Sequence, residues 1–297
     1  MLIYASLINS KNTEFQIKPD VVREKPIMFK NSLSSFLSTC RELARHWQAV
    51  AIMAALYLLL LGALYGFITT REATAIQILQ TLLFAAAAPF IFFVLQAAII
   101  GQARDGQIHW YAALKRSCKL ALTALPVVAV GFALMWVTNR CQSQISIPYA
   151  PFQSVRPTNE WSLMALSTFH TLLVTVVVPL VLIHVWLETM DRDLVATVRG
   201  GADSTLKWLR GLLVRSFAAE SVLLYFIGLL LFAAVPYVLL FVHLPFQSQW
   251  GEFGAFAGRL GVAIFASLLG WVATLSTFTR RHTQAVAKAE EISPVTN

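Results

Sequence analysis

Residues 49–69 read AVAIMAALYLLLLGALYGFIT and contain no charged residue. A helix rises about 1.5 Å per residue, so this stretch is long enough to cross the roughly 30 Å hydrocarbon core of a bilayer. Lipid offers no hydrogen-bond partner to the backbone, and a helix satisfies its own N–H and C=O groups. The four consecutive leucines at 58–61 break the alternation that a strand of a membrane barrel requires. The stretch therefore predicts a membrane-spanning helix.

Five further stretches share this length and apolar character. They lie at 76–100, 120–137, 163–187, 221–242 and 260–278. The whole chain is 57% hydrophobic and only 13% charged, whereas about 25% of the residues in an average soluble domain are charged. We therefore predict an all-α fold, a polytopic bundle of six transmembrane helices.

The lysines and arginines lie in alternate loops between these spans. Of the 23 Lys and Arg residues, all but Arg71, Arg140, Arg156 and Arg259 fall on one predicted side. Because basic residues are retained in cytoplasmic loops, both termini are expected in the cytoplasm. The chain itself is expected in a plasma membrane, the inner membrane of a bacterium. Membrane orientation also accounts for the net charge of +8, so no nucleic-acid partner is expected.

This topology divides the chain into three parts. Residues 1–46 form a cytoplasmic N-terminal segment with an amphipathic helix at 32–46, residues 47–279 form the membrane domain, and residues 280–297 form a cytoplasmic tail. The cysteines are then separated, with Cys40 and Cys118 inside and Cys141 outside, so no disulfide among them is expected.

A basic segment with apolar residues at helical spacing leads into each pair of spans, at 36–47, 111–122 and 206–217. In the last of these, one stripe contains Leu206, Leu209, Leu213 and Phe217. This pattern is typical of a helix lying in the headgroup plane. A cytoplasmic extension of the following span is the simpler explanation, because Lys and Arg at helix ends can reach the interface without any special function.

Four of the predicted spans contain a proline that could kink the helix. These prolines are Pro89, Pro126, Pro179 and Pro236. Each removes an intrahelical hydrogen bond, and transporters use broken helices at mid-membrane, although proline is also frequent in ordinary membrane helices. Small-residue steps at Gly62 with Gly66 and at Ala266 with Gly270 would permit close helix packing.

The loop before the fifth span resembles the coupling loop of binding-protein-dependent ABC permeases. The residues that carry the resemblance are Ala196, Gly200, Gly201, Trp208 and Arg210. The stretch lacks the leading Glu-Ala-Ala and the closing Leu-Pro of that family and has an extra glycine. The resemblance implies a short cytoplasmic helix that docks into a groove on a soluble ATPase, with these five residues in the docking loop.

The histidines of the fourth span, His170 and His184, lie fourteen residues apart, or about 21 Å along a helix. Their spacing resembles that of the stacked haem ligands in two-haem b-type cytochromes. A second helix with a matching pair is missing, because His46, His109 and His243 come from three different segments. We therefore expect both histidines to be polar residues that find hydrogen-bond partners within the bundle or at the interface, and we expect no cofactor.

Carboxylates near the cytoplasmic side of the fourth and fifth spans also have simple explanations. The loop after the fourth span contains Glu188, Asp191, Asp193 and Asp203, interspersed with Arg192 and Arg199. Such carboxylates can hold Mg²⁺, but mixed signs favour a solvated loop without a metal. Glu220 is expected to reach water or to pair with Arg215.

Signatures of enzymes are absent from the sequence. It contains no nucleotide-binding Gly-x-x-x-x-Gly-Lys, no His-Glu-x-x-His, no Gly-x-Ser-x-Gly and no Cys-x-x-Cys, so we expect no catalytic activity. Two classes of function remain. One is a permease-like transport component with a cytoplasmic ATPase or other membrane subunits as partners. The other is a non-catalytic accessory protein that assembles with other proteins or organises the lipid bilayer.

Overall fold

A computed structural model of the chain describes residues 24–70, 74–145, 160–191, 201–242 and 248–292. Within these ranges the chain is almost entirely helical and contains no strand. The first half consists of α1 (Glu24–Arg45), α2 (Trp47–Thr69), α3 (Ala75–Asp105) and α4 (Trp110–Ile145). The second half consists of α5 (Glu160–Leu172), α6 (Val178–Asp191), α7 (Ala202–Ser216), α8 (Ala219–Leu229), α9 (Val235–Phe241) and α10 (Gln249–Ile292).

Six of the helical segments are long and apolar enough to cross a membrane. They are α2, α3, α4, the combined α5 and α6, the combined α8 and α9, and α10. Each coincides with one of the six stretches identified in the sequence. The prediction of an all-α fold with six spanning helices is therefore confirmed, while the side on which the termini lie stays a prediction.

Two of the spans contain a single π turn. Leu173–Val177 joins α5 to α6, and Leu230–Ala234 joins α8 to α9. A valine and a proline follow directly in both, as Val178-Pro179 and Val235-Pro236. By contrast, α3 and α4 run through Pro89 and Pro126 without a change of helix type. An interruption of the regular α-helix thus accompanies two of the four span prolines.

Burial is concentrated toward one end of the bundle, which we call the packed end. It comprises residues 94–102 of α3, 185–189 of α6 and 272–279 of α10, all of them buried. Toward their other ends the same helices expose large apolar side chains, for example Leu79 of α3 and Phe253 of α10. Exposed apolar surface of this kind is compatible with contact to lipid tails.

Glycines bring α8, its π turn and α10 together. A Cβ atom at Gly228 would overlap the hydroxyl of Thr274, and one at Gly270 would lie 2.7 Å from the backbone nitrogen of Phe232. The partner of the Ala266 and Gly270 step therefore lies within this chain, at the π turn between α8 and α9. In the other small-residue step, nothing lies within 4 Å of a Cβ atom at Gly62.

The three basic leader segments fold in two different ways. Helices α1 and α7 are separate from the spans that follow, with breaks at His46 and at Phe217. Residues 111–122, however, form the first turns of α4 and continue directly into the span. Helix α1 also begins at Glu24, earlier than the start at residue 32 expected from the sequence.

Candidate functional site at the packed end

Helix α1 packs against α8 and α10 through one face. Its buried side chains recur every three or four residues, and they are Ser32, Phe36, Thr39 and Leu43. On an adjacent face Leu33 and Leu37 are exposed, Leu37 to 59%. The helix therefore has a face bound to the bundle and a second apolar face that no described residue covers.

Ion pairs connect the helices at the packed end. In the described part of the chain they include Arg280 with Glu42, Arg281 with Glu220, Arg215 with Glu188 at 2.9 Å and Arg116 with Asp105 at 3.0 Å. Nε2 of His282 lies 3.6 Å from the same Glu188 carboxylate. Pairs of this kind near solvent contribute about 0–1 kcal/mol each. Their main effect is to fix α1, α7 and α8 relative to α6 and α10.

Two of these pairs differ from the partner expected from sequence proximity. Glu220 pairs with Arg281 and Arg215 pairs with Glu188. The chain breaks at Phe217 between α7 and α8, so Arg215 and Glu220 lie on different helices rather than about one turn apart on one helix. Of the two expectations for Glu220, contact with water agrees with its 52% exposed side chain, whereas the alternative pairing with Arg215 was wrong for that reason.

Two groups on α1 titrate differently because α1 is docked. The hydrogen bond and charge of Arg280 hold the pKa of the Glu42 carboxyl below its usual value. Partial burial raises the pKa of the Cys40 thiol. Both side chains can therefore report on whether α1 remains attached to α10.

Helix α7 has three distinct faces. Leu212 and Ser216 are buried, and α7 packs against α6. The stripe recognised in the sequence is exposed along its whole length, at Leu206, Leu209, Leu213 and Phe217. Lys207 and Arg210 lie on the third face. A helix with a bound face, an exposed apolar face and a basic face has the pattern of one lying at a membrane interface.

The residues of the ABC-permease-like loop are only partly brought together. A cleft of about 320 Å³ between α6 and α7 is lined by Trp208, Lys207 and Glu188, and the buried indole N–H of Trp208 has no hydrogen-bond partner among the described residues. Arg210 is exposed on another face of the same helix. Gly201 precedes α7 with a φ of 90°, a conformation that favours glycine, while Ala196 and Gly200 lie outside the described residues.

Two cavities open beside the junction of α1 and α2. The first, of about 420 Å³, is an apolar crevice between α1, α2 and α10, whose walls include Leu43, Ala51 and Phe265. The second, of about 580 Å³, is a pocket of mixed polarity whose walls include Arg45 and Gln102. Trp47 lines both cavities. Sequence reasoning missed them, because their walls come from segments that are distant in the chain.

Several polar side chains inside the bundle bond to one another or to the backbone, whereas the buried indole N–H of Trp186 and the hydroxyl of Ser276 have no partner among the described residues. The indole N–H of Trp271 donates to Oε1 of Gln96 at 2.8 Å, although Gln96 is only 1% exposed. Ser267 donates to the carbonyl oxygen of Phe232 at 2.9 Å. Such bonds let polar groups remain at membrane depth, where an unpaired group is costly.

The two histidines of the fourth span are engaged within the protein. Nδ1 of His184 lies 2.9 Å from the carbonyl oxygen of Leu180, and Nε2 lies 3.4 Å from the hydroxyl of Ser221. Nδ1 of His170 lies 3.4 Å from the hydroxyl of Thr138. In the described ranges no group of three or more His, Cys, Asp or Glu residues is placed to hold a metal ion.

The six apolar helices are those of a multi-pass membrane protein. Comparison with protein-family models, curated proteins and solved structures finds no match to this chain. The distinctive part of its geometry is the packed end with α1, α7 and the two cavities.

Proposed function

We propose that this chain is a non-catalytic protein of a bacterial inner membrane that organises lipid of the inner leaflet around its packed end. The packed end would face the cytoplasm, with both termini on that side. Arg116, Arg215, Arg280 and Arg281 all lie at this end and pair there with carboxylates of neighbouring helices. Retention of basic residues on the cytoplasmic side supports this orientation.

The observation that carries the proposal is the exposed apolar stripe of α7. Leu206 is 68% exposed and Leu213 is 46% exposed, although the neighbouring face of the same helix is bound to α6. Helix α1 repeats the arrangement with Leu33 and Leu37. Two amphipathic helices held at one end of a bundle would insert their exposed apolar faces between the headgroups and the acyl chains of one leaflet.

The filled interior of the packed end supports a role outside solute passage. Trp186 and Tyr225 are 0% and 1% exposed, and Leu120, Leu180 and Leu275 are all at 0%. Interiors packed with side chains of this size contain few voids larger than a water molecule. Lipid contact at the outer surface of the packed end is therefore the use that the geometry favours.

The test changes one residue of the stripe and compares it with a neighbour on the basic face. The full chain would be placed in vesicles that contain spin-labelled phosphatidylglycerol, and the motionally restricted lipid would be counted by electron paramagnetic resonance. We expect Leu213→Gln to reduce this number and Val214→Gln to leave it unchanged. Around the helix, Val214 lies between Arg210 and Lys207 on the basic face. Equal counts for both variants would contradict the proposal.

A second candidate is a transport component, and the paired π turns favour it. Pro179 and Pro236 each follow a π turn, and π turns often mark functional sites within helices. The resemblance to a coupling loop adds an ATPase as the expected partner. Under this alternative, an ATPase subunit co-purifies with the chain, and Trp208→Ala abolishes the association whereas Trp250→Ala, at the other end of the bundle, does not. Absence of an ATPase from the purified material would remove this candidate.

A further inference from the structure

The apolar crevice between α1, α2 and α10 has the form of a site for a hydrocarbon chain. Small side chains open it, since Ala44, Ala51, Ala54 and Ala273 all line its walls. Leu269 and Phe265 of α10 supply larger apolar surface on the opposite side. Ala51 is exposed, so the crevice is open rather than enclosed. Its volume of about 420 Å³ is comparable with that of a single acyl chain.

The second pocket, which shares Trp47 with the crevice, contains groups that can bind a phosphate. Arg45 and His46 line it together with Gln48, Gln102 and Gln107, and no carboxylate is among its lining residues. The nearest acidic residue of α1, Glu42, is engaged by Arg280. An exposed guanidinium in such a setting can bind a phosphate through two parallel hydrogen bonds, and the glutamine amides can bind glycerol or headgroup hydroxyls.

We propose that the crevice and the pocket together bind one anionic glycerophospholipid of the inner leaflet. One acyl chain lies in the crevice and the phosphate lies against Arg45, with the indole of Trp47 between them. Tryptophan favours this boundary between apolar and polar surroundings. The inference rests on the proposed function, to which it adds a defined ligand and a defined site.

The charge of the pocket determines which lipid is held. Arg45 is a fixed cation, so a lipid with net negative charge gains from it, whereas the ammonium group of a zwitterionic headgroup would offset that gain. Phosphatidylglycerol is therefore expected to bind more tightly than phosphatidylcholine. The preference should weaken as the salt concentration rises, because the pocket is open to water.

Native mass spectrometry of the purified full chain can test the site with these two lipids. Ala51→Phe places a ring in the crevice, and Ala55→Phe makes the same change one turn later at an exposed residue outside it. We expect the wild-type chain and Ala55→Phe to retain one phosphatidylglycerol, and Ala51→Phe to bind it at least about tenfold more weakly. Equal binding by the two variants would overturn the proposal, as would a protein dimer in place of the bound lipid.

A second pair of variants tests the phosphate contact without altering the crevice. Arg45→Gln should weaken the binding of phosphatidylglycerol several-fold and leave the binding of phosphatidylcholine unchanged. Arg41→Gln, on the same helix but outside the pocket, should change the binding of neither lipid. The same effect of Arg45→Gln on both lipids would overturn the assignment of Arg45. If Ala51→Phe and Ala55→Phe bind phosphatidylglycerol equally but Leu213→Gln still reduces the number of restricted lipids, the site is wrong and the proposed function stands. If Leu213→Gln behaves as Val214→Gln does, the proposed function itself falls.

Discussion

The hydroxyl of Tyr225 donates a hydrogen bond to the carbonyl oxygen of Thr175 across 2.6 Å. Thr175 lies in the π turn between α5 and α6, four residues before Pro179, which has no N–H to offer that carbonyl. The hydroxyl of Ser267 likewise donates to the carbonyl oxygen of Phe232, which lies four residues before Pro236. In both places a neighbouring helix supplies the donor that proline removes, so the irregular turn remains satisfied inside the bundle.

The first prediction concerns the loss of this donor. Tyr225→Phe keeps the ring, which packs at the core, and leaves the Thr175 carbonyl without its partner. Hydrogen bonds of this kind in membrane proteins contribute about 0.6–2 kcal/mol, so we expect a loss of about 1 kcal/mol in the free energy of unfolding in mixed micelles. Tyr237→Phe removes an exposed hydroxyl from the same hairpin and should have little effect. Equal stability of the two variants would show that the Thr175 carbonyl finds another donor.

The second prediction separates the proline from the serine at the other π turn. Ser267→Ala should destabilise the protein by a similar amount, because the Phe232 carbonyl loses its partner. Pro236→Ala restores an N–H at the position that normally serves this carbonyl, so Ser267→Ala should cost less when it is introduced into Pro236→Ala. A double-mutant cycle on the unfolding free energies measures this coupling. Additive effects would mean that the serine does not compensate for the proline.

The third prediction concerns the contact of α10 with the second π turn. Gly270→Ala would place a methyl group against the backbone of Leu231 and Phe232, where neither neighbour has a flexible end that can move away. We expect a loss of about 1–3 kcal/mol, the usual cost of overpacking. Gly261→Ala on the same helix has nothing within 4 Å of the new methyl and should be tolerated. Thermal unfolding of the two variants in one detergent provides the comparison.

The six spans could be predicted from the sequence because they depend on local composition. A stretch such as residues 49–69 is apolar over the thickness of a bilayer whatever it packs against, and lipid then requires a helix. The ends of the helices in the basic leader segments were harder to predict, because they depend on tertiary contacts rather than on local composition. Whether residues 111–122 continue into α4 or end at a turn, as α7 does at Phe217, depends on contacts with other helices that no local pattern contains.

The candidate site could not be predicted for a related reason. The bond between Tyr225 and Thr175 joins residues fifty positions apart, and the crevice brings Ala51 of α2 beside Phe265 of α10. Proline positions alone did not distinguish Pro179 and Pro236, which follow π turns, from Pro89 and Pro126. That distinction would require the sequence to reveal which neighbouring side chain supplies a donor.

The fourth prediction tests whether the Glu42 and Arg280 pair holds α1 in place. Because the folded-state pKa of Glu42 is lowered, its contribution to stability is present above the ordinary pKa of a glutamate in the unfolded chain and is lost as the pH falls through the lower folded-state pKa. Glu42→Gln imitates the protonated carboxyl at neutral pH. The pair is partly exposed and contributes at most about 1 kcal/mol, or roughly a fivefold change in an equilibrium.

Alkylation of Cys40 measures this loosening directly. Its thiol is partly buried with a raised pKa, so it should react more slowly than the exposed Cys118. Glu42→Gln should raise the Cys40 rate up to about fivefold relative to Cys118, whereas Arg41→Gln on the exposed side of α1 should not. An unchanged Cys40 rate in Glu42→Gln would show that burial of Phe36 and its neighbours is sufficient to hold α1.

The fifth prediction concerns orientation, and α4 provides both the probe and its control. Cys118 and Cys141 lie 23 residues apart on this helix, or about 35 Å, and both are exposed. In single-cysteine variants, a membrane-impermeant thiol reagent added to intact cells should label Cys141 and spare Cys118, which should react only after the cells are opened. Because the two thiols differ in position and not in exposure, unequal labelling reports the side of the membrane. Labelling of Cys118 alone would place the packed end outside the cell, and the basic face of α7 would then lie on the side where basic residues are not retained.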